Sequence, residues 1–270
     1  MRRTYFVLAA LLTASVGSGT AWANERKFAY TYETSVLPIG AREIELWNTF
    51  RNNRGYFYRR IDQRIEYEFG VSNNLMSALY LNYSWLLQDA NGRAPGGSAV
   101  ASSSLSISSE WKYKILDRVA DPVGLGLYGE ATLGLDEFEF EAKLLVDKQI
   151  GNWLLAFNAV AENEWESELE AGETQTSSAL AAELDLGIAY ALHPQWSLGL
   201  EVRNHNEIVK GECTHSALFA GPVISYSADS WWATLTVLPQ ITSFKGATNG
   251  NLVLVGHERL EARLLFSFHL

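Results

Sequence analysis

Charged side chains recur at every second residue through much of this chain, and that spacing limits the chemistry they can do. Arg60, Asp62, Arg64, Glu66 and Glu68 form one such set; Glu110 and Lys112 lead to Lys114, and Glu130 stands among small residues. Glu139, Glu141 and Lys143 form another, followed by Glu162 with Glu164, Glu183 with Asp185, Glu201 with Arg203, and Glu261 with Arg263. A period of two places the members of each set on one face of an extended strand. Acids and bases on adjoining strands can then pair, which offsets their desolvation in an enclosed space. Arranged around water with carboxylates in excess, they favour cations or polar neutral solutes over anions. The same ladders can instead simply fill and rigidify an interior.

Other chemistry fits less well. A nucleophilic hydrolase needs serine, histidine and an orienting polar group within mutual reach. His193 falls in a turn, His269 at the chain end, and His205, His215 and His257 in loops or strand starts. None stands two residues before a serine on a shared face, and His215 and Ser216 point to opposite faces. Only His205 with Glu207 approaches the acid–histidine pairing of a protease, so no catalytic residue is expected. Glu212, Cys213 and His215 are weakly spaced for a metal. Cys213, the single cysteine, has no intramolecular disulfide partner, and no phosphate-binding loop is present, so neither metal nor cofactor is expected.

The charged faces require strands, and the strands are long. Ile44, Leu46, Asn48 and Phe50 alternate with Glu43, Glu45, Trp47 and Thr49, and Ile61, Gln63, Ile65, Tyr67 and Phe69 alternate with the set from Arg60 to Glu68. Comparable runs follow at 75–85, 104–115, 123–135, 138–147, 153–164, 180–190, 196–203, 216–227, 230–241 and 257–270. Many exceed the roughly 5–6 residues usual in soluble strands and meet the roughly 9–11 needed to cross a membrane at a tilt. Connections near 70–74, 116–122, 149–152, 192–195 and 228–229 are short, whereas 88–103, 166–177, 204–214 and 242–256 read as long polar loops, with shorter ones near 53 and 136. Trp85, Trp111, Trp153, Trp196 and Trp231 fall near strand ends, as an interfacial aromatic girdle requires.

The ends of the chain point the same way. Arg2 and Arg3 precede an apolar run from Tyr5 to Leu12 and an Ala21-Trp22-Ala23 cleavage pattern, so residues 1–23 are expected to be a signal peptide. Loss of two arginines takes the net charge from −10 to −12, which argues against nucleic acid as a partner. In the last run, Leu260, Ala262, Leu264, Phe266, Phe268 and Leu270 share a face, with Leu265 the exception on the charged side. That run resembles the closing strand of a Gram-negative outer-membrane β-barrel. GPVISY at 221–226, WWATLTVLPQ at 231–240 and FEFEAKLLVDK at 138–148 resemble an uncharacterised set of bacterial outer-membrane barrels labelled porins or transporters.

The expected fold is all-β, a transmembrane antiparallel up-and-down barrel of about twelve strands over residues 43–270. Counting 26–35 as a strand would give thirteen and break the even-number rule, so 24–42 is expected in the periplasm or folded into the barrel mouth as a plug. The expected location is the cell outer membrane, with membrane lipid, the outer-membrane assembly machinery and small solutes as partners. The expected function is a narrow porin-like channel for small polar or cationic solutes, the alternatives being a lipid hydrolase or a structural barrel with a closed lumen.

Overall fold

The computed structural model describes residues 25–90, 98–170 and 173–270. The signal-peptide segment lies outside them. Twelve strands follow in order: β1 (Arg42–Asn52), β2 (Tyr58–Gly70), β3 (Leu75–Asp89), β4 (Ala99–Leu116), β5 (Gly124–Leu133), β6 (Glu137–Ile150), β7 (Trp153–Glu170), β8 (Glu173–His193), β9 (Trp196–Val209), β10 (Glu212–Ser227), β11 (Trp231–Lys245) and β12 (Leu260–His269). Each pairs antiparallel with its neighbours, and β1 pairs with β12 from Glu43 opposite His269 to Asn52 opposite Leu260. The barrel is therefore closed and has no free edge. Closure matters in lipid, where an unpaired backbone group finds no water to bind.

Alternation sets the two faces. Ile65, Leu79, Leu81, Ile107, Leu127, Phe140, Leu184, Leu186, Leu198, Leu200 and Leu235 are exposed on the outside, a belt of apolar side chains that suits acyl chains. Polar residues interrupt it at several positions, Asn48, Gln63, Ser109 and Asn204 among them. Asn48 and Gln63 stand directly opposite in the β1–β2 register, and Gln63 Nε2 donates to Asn48 Oδ1 at 3.0 Å, so each satisfies the other. At the periplasmic rim Trp153 packs on Tyr190, Trp196 on Tyr226, Tyr226 on Trp231, and Trp231 on Phe266 at 5.2 Å between ring centroids. The rings thus run from strand to strand across β9–β12, with a separate pair on β7 and β8.

The structure corrects three expected loops. Most of 166–177 and 204–214 is strand, since β7 runs to Glu170, β8 starts at Glu173, and β9 and β10 meet at a turn over 210–211. At the loop expected over 88–103, β3 runs to Asp89 and β4 starts at Ala99, and residues 91–97 lie outside the described residues. The physical reason is shared by all three. A strand that rises beyond the hydrocarbon layer has water on its outside, so it needs no apolar alternation and its composition reads as a loop. β12 is also shorter than expected, starting at Leu260 rather than 257.

An arginine on the lipid face should test this orientation. Leu264, outward and near the middle of β12, pairs with Asn48 and Leu235. Leu264→Arg is expected to destabilise the barrel by about 2–4 kcal/mol, read as a lower urea midpoint for loss of the heat-modifiable folded band.

Candidate functional site

The lumen divides into two halves with different contents. In the periplasmic half, residues 25–41 enter the barrel, rise to Tyr30–Tyr32 and return to a turn in which Ala41 N–H donates to the Pro38 carbonyl. The strap meets a strand backbone at its return, where Gly40 N–H donates to the Gly70 carbonyl at 3.3 Å and Gly70 N–H to the Ala41 carbonyl at 3.0 Å; along its inner part barrel side chains satisfy its backbone. The Glu201 carboxylate accepts from three consecutive N–H groups, those of Ala29, Tyr30 and Thr31, at 3.1, 3.0 and 2.7 Å. The Asn158 amide takes Tyr32 at both ends, accepting from its N–H at 2.6 Å and donating to its carbonyl at 2.9 Å. Asp147 accepts from the Thr34 N–H and hydroxyl at 2.9 and 2.7 Å. Thr234 donates to the Arg26 carbonyl at 2.6 Å, and Arg118, from the 117–123 turn, pairs with Glu33 and Asp147.

Packing completes the seal. Phe28, Ala29, Thr31 and Leu37 have no solvent exposure, nor do Glu45, Asn158, Glu201, Thr234 and Thr236 on the barrel wall around them. Leu265, the apolar exception on the inward face of β12, is fully buried in this layer with Tyr30, Trp47 and Trp232. Its burial explains the broken pattern: here the interior is a packed core, not a wet channel. Two wall glycines make room. A Cβ at Gly187 would stand 2.7 Å from the Phe28 ring, and one at Gly124 would stand 2.7 Å from Thr34 Oγ1.

Above the strap is an outward-facing vestibule of about 670 Å³, with Tyr30 and Tyr32 among its lining. Arg263 lies over Tyr30 at 3.9 Å and Lys143 over Tyr32 at 4.2 Å, and Lys143 also pairs with Glu141 at 3.0 Å. Arg203 bridges Glu183 at 2.6 Å to Glu261 at 3.0 Å, while Arg64 reaches Glu130 at 3.0 Å. Arg60 and Asp62 pair at 2.6 Å near the outer rim. Glu139 and Glu162 line the same space on β6 and β7. Glu66, Glu68, Glu110, Lys112 and Asp185 are buried lower down. Glu201 is held by the strap rather than offered to the vestibule. Sequence spacing alone missed the partners in the lower layer, Glu43, Glu45, Asn158 and Asp147, whose signal was their place on the inward face of β1, β6 and β7.

The histidines gather at the outer end. His205 contacts Glu183 through Nδ1 at 2.8 Å, His215 lies 3.5 Å from Glu207, and the His205 and His215 rings meet the His257 ring edge-on at 4.7 and 4.5 Å. Burial, with His205 and His215 beside it, pushes the imidazole of His257, in the segment between β11 and β12, down to about 2. Such a ring is a poor general base at neutral pH. Cys213 Sγ donates to the His215 carbonyl at 3.4 Å.

Residues 20–270 match the family of unknown function DUF6662. No curated protein matches the chain in sequence. Among solved structures, the COG4313 outer membrane channel from Pseudomonas putida F1 aligns with a TM-score of 0.59 at 10% identity, over 88% of this chain and 98% of that one. The NanC porin aligns at 0.52 with 11% identity over 84% and 100%, and the KdgM porin in complex with disordered oligogalacturonate at 0.50 with 10% identity over 84% and 98%. At such identities the shared feature is the outer-membrane barrel fold.

Asn158→Ala removes both hydrogen bonds to Tyr32 and should loosen the strap at a cost of about 1–3 kcal/mol. Faster amide hydrogen exchange across residues 28–34, with the strands unchanged, is the expected reading.

Proposed function

The chain belongs to the DUF6662 family, and we propose that this outer-membrane barrel is a porin-like channel whose outer vestibule admits small polar or cationic solutes and whose strap controls passage to the periplasm. The observation that carries the reading is the charge of the vestibule. Ten carboxylates and six cationic side chains line it, so the unpaired excess is negative. The charges are also segregated. Glu137, Glu139, Glu141, Glu162, Glu164 and Glu166 crowd the β6–β7 wall, and Arg51, Arg60, Arg64, Arg203 and Arg263 come from β1, β2, β9 and β12. A cation entering from outside meets an acidic wall partly free of counter-charge, which lowers the cost of leaving bulk water.

The strap supplies the second element. Its backbone is bound by Glu201, Asn158 and Asp147 through side chains that can be released without breaking any strand pairing. Movement of the strap would join the vestibule to the periplasm while the wall stays closed. The same packed layer also favours a second reading, a barrel with a permanently closed lumen.

Planar-bilayer recordings on the full mature chain separate these. The expected result is rare, small cation-selective openings for the wild type and several-fold more frequent openings for Asn158→Ala combined with Glu201→Gln. Combining Glu139→Gln, Glu141→Gln and Glu162→Gln should lower the cation-to-anion permeability ratio. Silence in both the wild type and the strap variant would establish the closed barrel, and anion preference in either would overturn the proposed solute class.

A further inference from the structure

One constellation serves neither the vestibule nor the strap's backbone. Glu45 stands directly opposite Glu66 in the β1–β2 register, and Glu43 stands opposite Glu68. Like charges in that relation oppose strand pairing, yet here they are also buried, with Glu45 at 0%, Glu66 at 1% and Glu68 at 4% exposure. One carboxylate oxygen from each of Glu45, Glu66 and Glu68 lies within 4.8 Å of the others.

Buried carboxylate oxygens ordinarily accept hydrogen bonds. Both oxygens of Glu45, Oε1 of Glu66 and Oε2 of Glu68 accept none. The guanidinium groups nearby stop short: Arg26 is 3.7 Å from Glu45 and Arg64 is 3.6 Å from Glu66, and Arg64 makes its close contact with Glu130 at 3.0 Å. Glu43 is already engaged by the Trp232 indole at 3.2 Å and the Ser267 hydroxyl at 2.8 Å. Lys112 acts on Glu45, Glu68 and Glu110. Glu43, Glu45, Glu66, Glu68, Glu110 and Glu130 thus outnumber the cations that act on them, Arg26, Arg64, Lys112 and Lys143.

We propose that Glu45, Glu66 and Glu68 bind one divalent cation of the calcium type in the periplasmic half of the lumen. Calcium takes oxygen ligands at roughly 2.3–2.6 Å, so two ligands of one ion stand at most about 4.6–5.2 Å apart. The 4.8 Å spread of the three oxygens falls inside that limit. Magnesium, at roughly 2.0–2.1 Å, needs a tighter set and a near-ideal octahedron. Zinc prefers imidazole and thiolate, and His205, His215, His257 and Cys213 lie toward the outer end of the barrel. Bidentate carboxylates would supply up to six oxygens, and two positive charges would offset most of the local excess. The site stands whether or not the barrel conducts.

The test is calorimetric titration of the full mature barrel, stripped with chelator in detergent micelles, with calcium, magnesium and zinc chlorides in turn. One saturable calcium site per chain is expected, weakened at least tenfold by Glu66→Gln or Glu45→Gln and unchanged by Glu212→Gln. Calcium should also raise the thermal unfolding temperature of the wild type and not of the two site variants. Should Glu66→Gln lose its heat-modifiable folded band, Glu68→Gln takes its place; terbium emission excited through Trp47, the next inward residue on β1, gives a readout on the unmutated chain. No saturable uptake, equal affinity in the folded variants, or tighter binding of zinc than of calcium overturns the proposal.

Discussion

A peptide segment folded into a barrel has lost water and has no strand ladder to replace it, so its N–H groups must find acceptors on the wall. Glu201 meets that requirement for three residues at once. The N–H groups of Ala29, Tyr30 and Thr31 converge on its two oxygens, an arrangement in which successive backbone dipoles stabilise an anion. A carboxylate that would be costly alone in this layer therefore becomes the anchor of the strap. Asn158 and Asp147 extend the same solution along the segment. The filled lower lumen, the floor of the vestibule and the two crowded glycines all follow from where the strap is held.

The contrast between the halves of the lumen follows from that placement. Above Tyr30 and Tyr32 the inward charges stay in contact with water and can form bridges that exchange partners. Arg203 between Glu183 and Glu261 is one such bridge, and Arg64 on Glu130 is a second pairing of this kind. Below, the strap's own bulk excludes water, and inward positions hold Leu265, Leu145 and Trp232 beside buried acids. A carboxylate there needs a donor, a counter-ion or a proton. Glu201, Asn158 and Asp147 serve the strap, and Glu45, Glu66 and Glu68 are left facing one another.

The outside of the barrel obeys a simpler rule. Every second residue faces lipid, and apolar side chains at those positions bury hydrocarbon surface while the pairing of β1 with β12 removes the last edge. Where strands rise beyond the lipid the rule lapses, and β7–β10 continue through acidic and polar sequence that carries no period of two in apolarity.

Strand number, strand direction and the inward or outward sense of each membrane-level residue were legible in the sequence, because alternation is a local property that a single strand displays by itself. Arg64 and Glu130 were thus placed on the inner face, as were Arg203 and Glu261. That Arg64 reaches Glu130, and Arg203 reaches Glu261 across 58 residues of chain, was not legible, because such contacts depend on the register of every intervening strand and on closure. The strap shows the same division more sharply. The even strand number set residues 24–42 apart from the barrel wall, but nothing in them names Glu201, Asn158 or Asp147. Those partners come from β9, β7 and β6, and only the closed barrel brings them to a common centre.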